Sequence, residues 1–348
     1  MKRPVVLLVL IVSLLAVGPS ARAAEPAGPR LAISVSAAEE SGVITIGPRQ
    51  RDLRVFVADP DYWGLGEHLS WSADGGLLAF AASGPFQSDP GGAYGTGWPL
   101  LAIARAERRG SRVFPRAFLN GGDPVVSPDG RLVVFSRLKL VKTLPDGEGN
   151  LFKVALWSLD VKRGSVRRLT RWRMGGFSEP VSFSPDGASI VTELFDRRGV
   201  RLVATDLGSR RSVRLALLPG EAREPTYSLD GTRLAYVLQR DMNPGRLPEK
   251  PVSELVVAGA DGSGAVPLLR RRGYITSLGW DPSGSQLAFV SNPPAEATGS
   301  LEPEPGNKVM AINVDGTCLQ EMFSETELTV QAAAWQPGVG REAGPIAC

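Results

Sequence analysis

Residues 181–191 read Val-Ser-Phe-Ser-Pro-Asp-Gly-Ala-Ser-Ile-Val, and this short phrase decides the fold. Its Asp-Gly pair stands between two short apolar runs. That pattern predicts a β-hairpin with a tight turn, because glycine supplies the positive φ that such turns need. Related phrases recur along the chain, at 69–75, 125–130, 226–231 and 278–284, with a shorter copy at 333–338.

The spacing of the phrases indicates the architecture. Their closing glycines follow one another at steps of 55, 57, 44, 53 and 54 residues. A repeat of about 40–50 residues is typical of a β-propeller blade. Each phrase is followed by a short apolar strand, and most copies by two more, so we expect four strands in each unit.

The last phrase lacks later strands of its own, because only ten residues follow Gly338. Three apolar runs, 31–35, 43–46 and 53–57, precede the first phrase instead. They can complete the last blade, which closes the ring and removes open sheet edges. The sequence therefore predicts an all-β, six-bladed β-propeller of four-stranded blades over residues 31–338, followed by a tail over 339–348.

The repeated phrase resembles that of the TolB-type propeller family. The resemblance lies in Trp/Phe-Ser-Pro-Asp-Gly, then an apolar strand, then a strand ending in an Asp-Gly turn such as Asp261-Gly262 or Asp315-Gly316. It covers residues 31–338 and implies a partner in the cell envelope, for example a peptidoglycan-associated protein. TolB also has a smaller α/β domain before its propeller, for which we find no counterpart in this sequence. Blades of this type occur in proteins of several functions, so the resemblance indicates a fold more than a function.

Residues 1–23 predict a secretory signal peptide. Lys2 and Arg3 precede an apolar run over 5–17, and Ala21-Arg22-Ala23 fits a cleavage site. We expect a short linker over 24–30, no stable membrane span after cleavage, and an exported protein, periplasmic or extracellular. An uncleaved anchor is the alternative.

The charge of the chain limits the classes of partner that we expect. Without Lys2, Arg3 and Arg22 the chain holds 36 basic and 36 acidic residues. A balanced charge gives no reason to expect nucleic acid as a partner, and we expect a monomer. Arginine-rich runs at 167–173, 197–201 and 270–272 fall in different blades, and we interpret most of them as solvated outer edges, with an acidic glycan as the alternative ligand.

Cysteine and histidine are scarce. Cys318 and Cys348 are the only cysteines, and in an oxidising compartment they predict one disulfide. Two free thiols are the alternative. His68 is the only histidine, which argues against a zinc site with two imidazole ligands.

We expect the binding site on the face that carries the long loops, here called the loop face; the opposite, turn face carries the short Asp-Gly turns. Loops on a rigid scaffold usually carry function, and aromatic residues enrich recognition surfaces. The candidates are Tyr62, Trp63, Trp98, Trp172 and Tyr274. A second set, Trp71, Phe183, Tyr227, Trp280 and Trp335, is interpreted as core between blades.

Four acidic residues precede the innermost strands of four blades. Around the loop-side mouth of the channel they could bind Ca²⁺ through oxygen ligands or receive a basic side chain from a partner. The alternative is that each caps its own turn or is solvated. They are Glu67, which adjoins His68, and Asp123, Glu179 and Glu224.

Enzymatic activity is not expected. The chain has no G-x-S-x-G motif and one histidine, which excludes a Ser-His hydrolase of the usual kind. We predict a binding scaffold that recognises an envelope or extracellular protein or peptide segment through its loop face and channel mouth. The alternatives are a carbohydrate-binding or carbohydrate-cleaving propeller that uses the mouth carboxylates, and a structural spacer in an envelope complex.

Overall fold

The computed structural model describes residues 29–37, 40–47, 53–58, 64–83, 100–106, 110–118, 124–143, 150–174, 178–196, 199–215, 217–240, 251–292, 307–325, 327–338 and 345–348. These residues form strands and turns. None of them belongs to a helix long and apolar enough to cross a membrane. The predicted signal peptide, and most of the predicted linker and tail, lie outside the described residues.

Six antiparallel sheets form the ring, each with its innermost strand at the centre. The first blade has β4 (Gly64–Leu65), β5 (Ser70–Trp71), β6 (Leu77–Ser83), β7 (Leu100–Arg105) and β8 (Ser111–Phe118). The second has β9 (Val125–Val126), β10 (Leu132–Thr143), β11 (Asn150–Asp160), β12 (Val166–Arg168) and β13 (Arg173–Met174). The third has β14 (Ser178–Phe183), β15 (Ser189–Asp196), β16 (Gly199–Asp206) and β17 (Ser212–Arg214).

The fourth blade has β18 (Glu221–Tyr227), β19 (Arg233–Arg240), β20 (Val252–Gly259) and β21 (Val266–Arg272). The fifth has β22 (Tyr274–Trp280), β23 (Gln286–Asn292), β24 (Lys308–Asn313) and β25 (Gln320–Ser324). The sixth joins both ends of the chain, with β26 (Thr329–Trp335) innermost, followed by β1 (Leu31–Ala37), β2 (Glu40–Ile46) and β3 (Leu53–Ala58). The all-β, six-bladed propeller is confirmed.

The ring closes by pairing β26 with β1, as the sequence predicts, from Leu31 opposite Trp335 to Ser36 opposite Thr329. On the turn face, Gln336 Nε2 donates to the carbonyl oxygen of Gly75 at 2.8 Å. Gly75 has a φ of +66°, and a Cβ placed there would lie 1.9 Å from the carbonyl oxygen of Pro337. Only glycine fits this contact between the first and sixth blades.

The Asp-Gly turn in each of the first four phrases is held by a serine–aspartate pair. Ser228 Oγ donates to Asp230 Oδ1 at 2.6 Å and accepts from the Arg233 N–H at 3.0 Å, which ties the turn to β19. The Thr232 N–H donates to the same carboxylate at 3.0 Å. These hydrogen bonds stabilise the charged form and lower the pKa of Asp230 to about 2.

The fifth copy reads Asp-Pro-Ser-Gly because the two side chains exchange places. Asp281 Oδ1 accepts from the Gln286 N–H at 2.7 Å, and Ser283 Oγ donates to Asp281 Oδ2 at 2.5 Å. The same two hydrogen bonds therefore hold the turn although the serine and the aspartate have exchanged positions. This explains why the fifth copy belongs to the repeat in spite of its different sequence.

The predicted disulfide is confirmed. Cys318 and Cys348 are bonded, with their Cα atoms 5.3 Å apart. The end of the chain also exchanges two hydrogen bonds with the fifth blade, since the Ile346 N–H donates to Asn313 Oδ1 at 2.7 Å and Asn313 Nδ2 donates to the Ile346 carbonyl at 3.0 Å. The disulfide and this pair fasten the tail beside the blade that neighbours the closing one.

Candidate functional site

A cavity of about 190 Å³ lies on the axis of the propeller, and innermost segments of all six blades line it. Its wall is mainly apolar. On the turn side it includes one residue from each repeated phrase, the one that lies between the serine and the aspartate in the consensus. These residues are Ala73, Pro128, Pro185, Leu229, Pro282 and Pro337, here called the apolar ring.

The aromatic residues of the phrases also reach this cavity. Trp71, Phe183, Tyr227, Trp280 and Trp335 were interpreted as core, and they do pack between blades as well as forming part of the wall. Trp280 is 8% exposed, and its Nε1 donates to the Thr226 carbonyl of the neighbouring blade at 3.0 Å. The guanidinium of Arg233 lies 4.7 Å from the Trp280 ring centre. Trp280 is therefore fixed in the channel wall by contacts with the fourth blade.

At the loop side, Glu224 of β18 approaches His68 of the first blade. Glu224 Oε2 lies 3.5 Å from His68 Nδ1 and accepts from the Ser277 N–H at 2.9 Å. Ser277 Oγ in turn accepts from the Ala333 N–H at 2.9 Å and donates to the Ala333 carbonyl at 3.2 Å. The Glu224 N–H also donates to Oε1 of Glu193, a buried carboxyl group of the third blade, at 2.5 Å. Five blades are thus connected around two buried carboxyl groups, here called the Glu224 cluster.

Two β-bulges position this cluster. The pairing of β18 with β19 shifts between Arg223 and Thr226, and that of β22 with β23 shifts between Thr276 and Gly279. Within these bulges Glu224 and Ser277 have φ values of 54° and 53°. A left-handed conformation is uncommon for residues other than glycine, and a bulge redirects a side chain.

Burial controls the ionisation of Glu224. Removal from water raises the pKa of its carboxyl group, and the nearby Glu67 raises it further. The charges of His68 and Arg223 and the hydrogen bond from Ser277 act in the opposite direction, but burial prevails. Glu224 therefore keeps its proton at pH values where an exposed glutamate has lost it.

The structure does not bring all the predicted site residues together. Glu67, His68 and Glu224 lie close to one another. Tyr274 begins β22 and is half-buried, which raises the pKa of its hydroxyl, while Arg223 lowers it. Trp172 lies elsewhere, against Trp157 in the second blade. The remaining candidates, Tyr62, Trp63, Trp98, Asp123 and the side chain of Glu179, lie outside what the structure describes.

The calcium hypothesis stays a prediction. Within the described part of the chain, no three histidine, cysteine, aspartate or glutamate side chains lie where they could hold one metal ion. Two of the four proposed ligands, Asp123 and the Glu179 carboxylate, are outside that part.

The sequence analysis missed the apolar ring. The signal was present in the repeat, where the residue before the aspartate is Pro, Ala or Leu in the first four phrases. The repeat alone does not show that these residues meet, because only ring closure brings the six short turns around one opening.

Comparison with known proteins supports the fold. No protein-family profile and no curated protein matches the chain. TolB from Acinetobacter baumannii matches over 89% of this chain and 67% of its own, with a TM-score of 0.63 and 17% identity. A protein assigned as TolB from Agrobacterium tumefaciens matches over 89% of this chain and 99% of its own, with a TM-score of 0.53 and 18% identity.

A chain of the nidogen/laminin complex matches over 90% of this chain and 100% of its own, with a TM-score of 0.58 and 11% identity. Identities this low establish the fold alone. The chain is a TolB-like β-propeller, as the repeated phrase predicted.

Proposed function

We propose that this protein is an exported binding scaffold whose channel receives part of an extended segment of an envelope or extracellular protein. The observation that carries the proposal is the axial cavity, with the apolar ring on one side and the Glu224 cluster on the other. The structural neighbours of the protein include TolB and a chain of the nidogen/laminin complex. These neighbours are consistent with a propeller that binds protein.

The size of the cavity favours a peptide over a free small ligand. At about 190 Å³ it is smaller than the roughly 300–1,000 Å³ usual for pockets that enclose small molecules. One or two side chains of a partner can enter, while the rest of the segment lies across the mouth. Apolar side chains suit the ring, and a lysine or arginine suits the exposed carboxylate of Glu67.

Blocking the channel tests this proposal. Ala73 is half-buried in the ring, so Ala73→Trp should close it. Val213, which is 66% exposed on β17, offers the matched control Val213→Trp. Peptides selected against the wild-type protein from a displayed library should bind Val213→Trp and fail to bind Ala73→Trp, provided that both variants melt as the wild type does. Peptides that bind both variants equally would exclude the channel.

Export is part of the proposal. It is supported by the signal-like residues 1–23 and by the disulfide, because disulfides persist in oxidising compartments. Sequencing the N-terminus of protein made in a bacterial host should give Ala24 as the first residue, and the protein should be found outside the cytoplasm. A retained Met1 would contradict it.

Carbohydrate cleavage is the second candidate, and the buried Glu224 is the observation that favours it. A raised pKa is the property required of a general acid. If the wild type releases reducing ends from polysaccharides and Glu224→Gln does not, the protein is a carbohydrate-cleaving enzyme and the binding proposal is wrong.

A further inference from the structure

We propose that the rim surface between the first and second blades binds an anionic polysaccharide. The rim surface consists of β8 and the face of the second blade that carries Arg137 and Trp157, which pack together through one apolar cluster. It lies at the outer side of the disc, whereas the channel runs through the centre. Either site can therefore be lost without the other.

Strand register brings basic residues to one face of the second blade. Side chains alternate along a strand, and directly paired residues share a face. Arg137 and Lys139 therefore lie on the same face of β10, Lys153 is paired with Lys139, and Trp157 is paired with Arg168.

The first blade faces this surface and adds another cation. Phe135 and Trp157 of the second blade pack in one apolar cluster with Phe114 of β8. Arg112 lies two residues before Phe114 on the same face of β8, and its guanidinium is 4.7 Å from the Phe114 ring centre. Cations from two blades thus lie beside one shared apolar cluster.

Aromatic rings hold the guanidinium groups in place. Arg137 lies 4.5 Å from the ring centre of Trp157 and 5.3 Å from that of Phe135. Arg168 lies 5.7 Å from Trp172, which meets Trp157 edge to face at 6.3 Å. Such cation–π contacts orient the guanidinium groups on the surface of the blade.

The strands of the rim surface carry few acidic residues. Residues 111–118, 132–143 and 166–174 contain no aspartate or glutamate, and β11 contains one, Asp160 at its end. Arg112, Lys139 and Arg168 are exposed. The direct pairing of Lys139 with Lys153 is itself repulsive, so a bound anion would relieve strain that the free protein carries. A basic surface this concentrated is unexpected in a chain whose charges otherwise balance.

An acidic sugar polymer fits both the cations and the half-exposed aromatic ring of the rim surface. Carboxylates pair with arginine forks, and the C–H face of a pyranose ring can pack on a half-exposed indole such as Trp172. Nucleic acid would use the same cations. The disulfide, however, is consistent with an exported protein, where a glycan is the more accessible polyanion.

The test is a binding titration of the purified disulfide-bonded protein, followed by tryptophan fluorescence and calorimetry. Alginate is the uronic acid probe, dextran is the neutral control, and single-stranded DNA is the polyanion without pyranose rings. The variants are Trp172→Ala and the pair Arg112→Gln, Arg168→Gln, which removes one exposed cation from each of the two blades. The matched control is the pair Arg211→Gln, Arg214→Gln in the third blade, which removes the same charge from other exposed residues.

Alginate should bind more tightly than DNA, and dextran should not bind. The Arg112/Arg168 pair should weaken alginate binding roughly tenfold, an effect that salt should mimic, while the third-blade pair should leave it unchanged. Trp172→Ala should weaken it roughly fivefold to tenfold with an unchanged melting temperature. Equal losses for both arginine pairs, DNA binding as tight as alginate, or no alginate binding would overturn the proposal. Ala73→Trp should bind alginate normally, which keeps this result separate from that of the channel.

Discussion

Glu224 and Ser277 lie in β-bulges of neighbouring blades, and the Ser277 N–H donates to Glu224 Oε2 at 2.9 Å. Both residues have a positive φ. The backbone of one blade therefore satisfies a carboxyl group that the next blade buries. This relationship turns a costly buried acid into part of the joint between two blades, and it sets the pH response of the protein.

Stability should decrease as Glu224 ionises. The folded pKa of its carboxyl group is raised above the ordinary value of 4.5. The stabilising contribution of the protonated form is therefore complete below pH 4.5 and is lost as the pH rises through the folded pKa. Glu224→Gln keeps the shape without the charge.

Thermal melts of both proteins between pH 4 and pH 8, a range chosen from the usual glutamate and histidine pKa values of about 4.3 and 6.5, provide the check. The wild type should lose stability relative to Glu224→Gln across this range. A constant difference would show that Glu224 titrates as an exposed glutamate does.

The serine–aspartate turns should respond to acid in the opposite direction. The folded pKa of Asp230 is lowered from 3.8 to about 2. Its contribution is present above pH 3.8 and is lost as the pH falls towards 2. Asp230→Asn should cost about 0.5–1 kcal/mol at neutral pH, a small value because the carboxylate is largely exposed to water. Urea denaturation should show this difference shrinking below pH 4, whereas a difference that persists unchanged would contradict the ionic role.

Ring closure should depend on Gly75. Gly75→Ala forces a Cβ into the Pro337 carbonyl, while Gly164→Ala is a matched control, since Gly164 has a φ of +68° and no atom within 4 Å of the added Cβ. The control should cost about 1–2 kcal/mol, the strain of a left-handed alanine. Gly75→Ala should cost clearly more in denaturant melts. Equal costs would mean that the two ends of the ring separate without penalty.

The disulfide should support the closing region. Cys318 and Cys348 are separated by 30 residues, a loop for which chain entropy predicts roughly 3–4 kcal/mol of stabilisation. Cys318→Ser with Cys348→Ser should lower the melting temperature, as should reduction of the wild type. The reductant should leave the double variant unchanged, and any further drop would trace the effect to something other than this bond.

The sequence by itself determined the blades, because their signals are local. Ser228, Asp230 and Gly231 form one turn within four residues, so the phrase can be read directly and counted to six. The closing pair of β26 and β1 followed from that count, since a sheet must bury its edge. The bond between Cys318 and Cys348 was predicted because they are the only two cysteines and because the N-terminal residues suggest export to an oxidising compartment.

Tertiary structure alone decided the sites. His68 of the first blade meets Glu224 of the fourth only in the closed ring, and Phe114 of the first blade packs with Trp157 of the second only when the two blades lie side by side. The sequence analysis interpreted Arg168 as a solvated edge because it considered each strand separately. Register across three strands placed Arg168 on the same face as Trp157 and Lys139. Hydrogen bonds between residues close in sequence can be predicted from a repeat. The burial of a side chain and the charges around it depend instead on residues that are far apart in the sequence and meet only in the folded protein.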